Sequence, residues 1–243
     1  MNWSIIEQVF IKDLQELTKN RYAFFSILFL PVLLVGVAII NVYSAVSSPP
    51  VSVVTVSILI STFSQVIILI PGIVSVLIGA TSVVIEKNNR SLEPLLATPI
   101  TDTELLLGKA LAPFVPAIIL SFAAYGAMIT AVDYLTFPVF GTFILPTNAM
   151  LYQMFVMAPL IGLFGTFVAL FISTKIKDVR AAQQVSTLAI MPLFIVLIIG
   201  SLAFASTLNL LIVVTVILAI AVIGIARLTI KQFNRESILI SWK

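Results

Sequence analysis

The chain is 243 residues long, 60% hydrophobic and only 9% charged, with mean hydropathy +1.20. Soluble domains carry about 25% charged residues and leave much of their surface wet, so a water-soluble fold is excluded and lipid is the expected solvent. The net charge of +3 comes from basic residues scattered at helix ends, which argues against a nucleic-acid partner, and the lack of cysteine and histidine removes disulfides, thiolate chemistry, His-ligated metals and His acid–base catalysis.

Residues 1–21 read as an amphipathic helix. Ile6, Phe10, Leu14 and Leu17 recur at three- and four-residue steps, with Ile5 and Val9 beside them. Glu7, Lys12, Asp13, Glu16 and Lys19 fill the remaining positions. The pattern suits a helix lying in the membrane interface; an ordinary polar lead-in helix fits it too.

Six apolar segments follow, near 22–42, 57–85, 105–132, 149–173, 185–204 and 208–227. Each meets the need for about 20 apolar residues to cross roughly 30 Å of hydrocarbon. The first is not expected to be a cleaved signal, because 21 polar and amphipathic residues precede it. The second is long enough to tilt or bend, and Pro71 followed by Gly72 marks the place. In the third, Pro113 and Pro116 remove backbone donors and are expected to break its first half. Only a few residues around 205–207 join the fifth and sixth, which leaves open one span plus a re-entrant element.

All 13 basic residues fall on one side of the six-span arrangement, and the opposite connections, 43–56 and 133–148, hold none. The positive-inside rule then places that side, with both termini, in the cytoplasm. A multi-pass protein of the plasma membrane is the expected setting.

The loop at 86–104 carries the most local information. Ser91 suits a helix cap, and Leu92, Leu95 and Leu96 share one face of a short helix beyond it. Pro94 is tolerable in a first turn, and Pro99 disfavours helix at Thr98. Thr101 and Glu104 form a capping-box pattern that restarts helix. The result is a helix of about two turns, either a docking knob for a partner protein or a turn resting on the bilayer. Further on, the basic loop 174–184 holds Asp178 as a cap for the fifth span. Arg180, Gln183 and Gln184 are candidates for contact with another subunit, with solvated helix-end polarity the plainer alternative.

The residues Glu86, Leu92, Glu93, Leu95, Leu96, Thr98 and Pro99, followed by Leu106, Leu107, Gly108 and Lys109, resemble the cytoplasmic loop of type-2 ATP-binding cassette (ABC) exporter permeases. The stretch 173–184 with Met191 and Pro192 is similar to that family's basic loop and fifth-span start, so the resemblance covers essentially the whole chain. One departure stands at the loop entrance: many members have Gly soon after Glu, where this chain has Lys87, Asn88, Asn89 and Arg90.

The resemblance implies an all-α permease of six transmembrane helices, with an interfacial amphipathic helix and a short cytoplasmic coupling helix. It implies a second copy of the chain, as a homodimer, and separate ABC ATPase subunits holding ATP and Mg2+. The chain itself shows no G-x-x-x-x-G-K-[ST] phosphate loop and no soluble domain to carry one, so it is expected to bind no cofactor and to catalyse nothing alone. Leu92, Leu95, Leu96 and Pro99 would meet the ATPase, with Glu93 and Thr98 beside them. Glu86 and Glu93 would pair with basic groups of the ATPase or of the amphipathic helix.

Rival classes rest on less. A secondary transporter normally buries an ionisable group at mid-membrane, and the charges here stand at span ends, with Asp133 at the far edge of the third. An intramembrane enzyme lacks paired carboxylates, His or Cys inside the spans. A non-catalytic membrane subunit leaves the docking loop unexplained. Ser61, Thr62, Ser64 and Gln65 form a polar patch that serves either helix packing or, through Ser61, Ser64 and Gln65, a substrate pathway. The spans are otherwise rich in Ile, Val, Leu and Phe, which suits a hydrophobic or amphipathic substrate such as a drug, lipid or peptide.

Overall fold

The computed structural model describes residues 3–19, 21–48, 52–88, 101–204 and 208–232, and every regular element among them is helical. In chain order these are α1 (Trp3–Lys19), α2 (Arg21–Ser47), α3 (Val53–Ile67), α4 (Ile70–Asn88), α5 (Asp102–Phe140), α6 (Asn148–Tyr152), a π-helical turn (Gln153–Met157), α7 (Ala158–Ser173), α8 (Val179–Phe204) and α9 (Leu208–Gln232). Six stretches among the described residues are long and apolar enough to cross a membrane: α2, α3 with α4, α5, α6 through α7, α8 and α9. The chain is thus a multi-pass membrane protein, all-helical in its described residues.

The second span breaks where its proline predicts. Pro71 has no N–H to give the Ile67 carbonyl, and its ring crowds that carbonyl. Residues 68–69 accordingly form a turn between α3 and α4. The third span does not break. α5 runs unbroken through Pro113, Pro116 and Pro138, so the expected interruption of its first half is corrected. Its neighbours explain the tolerance: α1, α2, α4 and α7 all pack along it, and the Pro113 ring sits against Gly79 of α4. The helix starts on the expected capping box, with Thr101 Oγ1 accepting from the Glu104 N–H and the Glu104 carboxylate accepting from the Thr101 N–H.

α4 and α7 form the most extensive contact and the centre of the core. Lipid gives helices no hydrophobic reason to associate, so close backbone approach must supply the packing. It does so at Gly165, where an added Cβ would stand 2.6 Å from the Gly72 carbonyl oxygen. α2, α8 and α9 flank this centre, each burying one edge in the core (Val35, Ile190 and Leu218) and exposing the other through Phe29, Ile40, Leu188, Ile195, Val213 and Ile220.

At the end of the bundle opposite the basic residues, Gly141 takes a left-handed conformation (φ 69°) that terminates α5. Asp133 is buried there, and its Oδ1 accepts from the N–H groups of Ile144 at 3.1 Å and Leu145 at 3.0 Å. Its role is to hold the 141–147 connection.

Candidate functional site

The stripe Gly72, Ser75, Gly79, Ser82 and Glu86 recurs at three- and four-residue steps and so shares one face of α4. Its first part meets α7; its last two residues meet α1. On α1 the buried positions are Ile6, Val9 and Asp13, again three and four apart. This differs from the expected face, which set Asp13 among the solvated positions. Phe10, Leu14 and Leu17 are half-buried on the flank.

Gly108 explains how close the two helices come. A Cβ there would lie 2.8 Å from the Val9 Cβ and 3.2 Å from the Ile6 carbonyl oxygen. With hydrogen in that place, α1 rests directly on α5 and delivers Asp13 to Lys109, one residue further along.

Four charges meet at this crossing. Lys12 Nζ donates to Glu86 Oε1 at 2.6 Å. Lys109 Nζ pairs with the other Glu86 oxygen, Oε2, and lies 3.7 Å from Asp13 Oδ2. Ser82 Oγ donates to that same Asp13 oxygen at 2.7 Å. The side chains of Lys109, Glu86 and Asp13 are 0, 2 and 3% exposed, so water cannot carry their charge and each must be met from within. Val9, Val83, Leu105, Leu106, Ala110 and Leu170 form an apolar cluster beside them. Two ammonium groups and two carboxylates leave the group neutral. Lys12 is 38% exposed at the rim. Partial burial works against its charge, yet hydrogen bonding and attraction from Glu86, with Asp13 and Glu16 behind, hold it above the usual lysine range.

The position of this cluster along the chain is what makes it a candidate site. Glu86 opens the 86–104 loop and Lys109 stands just past its close, so the cluster fastens both stems of the loop to α1. Of the two partners expected for Glu86, a basic residue of the N-terminal helix is found, Lys12. Lys109 was not foreseen as a partner. The available signal was a lysine with Leu105, Leu106 and Leu107 before it and Ala110, Leu111 and Ala112 after it, a setting that demands a counter-charge. The remaining loop candidates, Leu92, Glu93, Leu95, Leu96, Thr98 and Pro99, with the short helix drawn through them, lie outside the described residues.

The polar patch of the second span is not part of this cluster. Ser61 Oγ donates to the Ile58 carbonyl at 2.9 Å and Ser64 Oγ to the Ser61 carbonyl at 3.0 Å, so both hydroxyls turn back on their own helix. The Ser64 carbonyl, beside the break at 68–69, accepts from the buried Tyr125 hydroxyl at 2.9 Å. Gln65 is buried, and its Oε1 has no hydrogen-bond partner among the described residues.

In the 174–184 loop, Asp178 caps α8 by accepting from the Ala181 N–H at 2.9 Å. Gln183 reaches the Leu77 carbonyl within the chain, at 3.2 Å, while Arg180 and Gln184 are exposed. No group of three or more metal-ligating side chains occurs among the described residues. Comparison of the chain with protein-family models gives no match, and comparison with curated proteins gives none.

Proposed function

We propose that the chain is the transmembrane permease subunit of an ATP-driven exporter of the type-2 ABC kind, acting as a homodimer with separate ATPase subunits docked on its basic, cytoplasmic end. The observation that carries the reading is the buried cluster of Lys12, Asp13, Glu86 and Lys109, which ties both stems of the 86–104 loop to α1. A loop pushed by a partner can move a bundle only if its stems are rigidly joined to the spans, and charges buried this deeply are costly to separate. The six spans and the one-sided basic residues support the same reading.

In this scheme Leu92, Leu95, Leu96 and Pro99 form the apolar edge that the ATPase grips, with Glu93 and Thr98 beside it. α1 lies along the inner face of the plasma membrane as an amphipathic strap, its Ile6–Val9–Asp13 face on α5. ATP and Mg2+ belong to the partner. Closure of the partner pulls the loop, and the charge cluster hands that movement to α1, α4 and α5 together. The apolar spans favour a hydrophobic or amphipathic cargo.

One observation favours a second reading, an ion-coupled carrier: Lys109 and its carboxylates are fully buried. They stand within about two turns of the ends of α4 and α5 and are mutually neutralised, which suits a joint better than an ion relay. The test is purification of the tagged chain from its native membrane in mild detergent. An ABC ATPase should accompany it in near-equal amount and be lost from the variant with Leu92→Asp and Leu96→Asp. No ATPase with the unaltered chain, or equal recovery with the variant, would overturn the proposal.

A further inference from the structure

Two recesses share Leu17 and Ile78 in their walls, and the smaller of them is lined by Asp13 of the charge cluster. The larger, about 260 Å3, lies between α1, α2 and α5 and is walled by apolar side chains such as Leu14, Phe24, Ile27, Pro116 and Ile119. Its size approaches the roughly 300 Å3 at which small-molecule pockets begin. The smaller, about 70 Å3, carries the polar groups Asp13, Glu16, Thr81 and Ser82. An apolar recess and an acidic one thus stand side by side.

The acidic recess has an unmet demand. Asp13 Oδ2 is served by Ser82 and Lys109, but Asp13 Oδ1 is buried with no hydrogen-bond partner among the described residues. Thr81 does not serve it, since its hydroxyl donates to the Ile78 carbonyl at 2.7 Å. The two ammonium groups of the cluster are matched by Glu86 and Asp13, which leaves the exposed Glu16 as a further negative charge at the mouth. A buried carboxylate oxygen is satisfied best by a charged donor. With Glu16 added to the neutral group of four, the local charge is negative and disfavours an anion.

We propose that this pair of recesses binds a single-tailed lipophilic amine, its apolar tail in the larger recess and its ammonium donating to Asp13 Oδ1 beside Glu16. A neutral alcohol fills the larger recess but gives up the charge attraction; an anionic head meets the unmatched charge of Glu16 and offers Asp13 Oδ1 no donor. Binding requires no ATPase, so its failure leaves the exporter proposal standing, and failure of that proposal leaves this site standing.

The test uses the full chain in phosphatidylcholine nanodiscs and a dodecylamine bearing a diazirine in its tail. Photolabelling should map to α1, α2 and α5 around Leu17, Phe24 and Ile119. Unlabelled dodecylamine should compete at least tenfold better than dodecanol, and dodecyl sulfate worse than either. Glu16→Gln, at an exposed position, should shrink the amine-over-alcohol preference about threefold, and Asp13→Asn should remove most of it. Ile119→Trp should block labelling by filling the larger recess. Equal competition by all three head groups, or a preference unmoved by Glu16→Gln, overturns the proposal. So does displacement of the probe by phosphatidylethanolamine, which would make a two-tailed membrane lipid the occupant.

Discussion

The two ends of the bundle bury carboxylates by different means. Asp133 is met by two backbone N–H groups only 11 and 12 residues further along the chain. Asp13 and Glu86 are met by the side chains of Lys12, Ser82 and Lys109, which belong to three separate helices. Backbone donors are neutral and fixed, so Asp133 makes a local clip. The cluster at the basic end holds only while α1, α4 and α5 keep their places, which makes it a joint through which movement in one element is felt by the others.

The largest expected effect on this joint is that of Lys109→Met. The substitution keeps the volume but leaves buried Asp13 without an ammonium and Glu86 with Lys12 alone, which is expected to cost about 3–5 kcal/mol. Thermal unfolding in detergent reads the loss. Because the chain has no native cysteine, a cysteine placed at Val9 reports separately on α1: its thiol should label slowly in the otherwise unaltered chain and fast beside Lys109→Met. Unchanged labelling would mean that the charges do not hold the helix down.

A smaller effect sharpens the contrast. Asp133→Ala orphans two backbone donors, each loss of this kind being worth about 1–3 kcal/mol. It should loosen only the 141–147 connection and leave Val9→Cys labelling as slow as before. Faster labelling of α1 in this variant would show that the two ends are not independent.

Much of the scaffold was legible in the residues. A span needs about 20 apolar residues whatever its neighbours are, so all six were located, although α5 extends to Phe140, well beyond the expected end at 132. Local hydrogen bonding likewise announces itself: the Thr101–Glu104 box, the Asp178 cap and the break before Pro71 follow from adjacent residues alone. The continuity of α5 through Pro113 and Pro116 did not, because packing against α1, α2, α4 and α7 overrides the local cost.

The candidate site was half legible. A basic partner for Glu86, on the first helix or on the ATPase, is part of what the resemblance implies, whereas the amphipathic pattern leaves Asp13 off the apolar face. Its burial depends on where α1 crosses α5, and that crossing is fixed by the missing side chain of Gly108, a contact across about a hundred residues that no local period reveals. Glycine and lysine side by side in an apolar helix, at 108 and 109, were the trace it left.

A joint of this kind requires that Glu86 and Lys109 stabilise the bundle only as a pair, which a double-mutant cycle can decide. Unfolding is compared for the unaltered chain, Glu86→Gln, Lys109→Met and the two together. Removing both charges leaves a neutral contact, so the double variant should lose less stability than the two single losses combined, by about 0.5–3 kcal/mol. Simple addition of the two losses would contradict the account and leave the cluster as neighbouring charges without a joint.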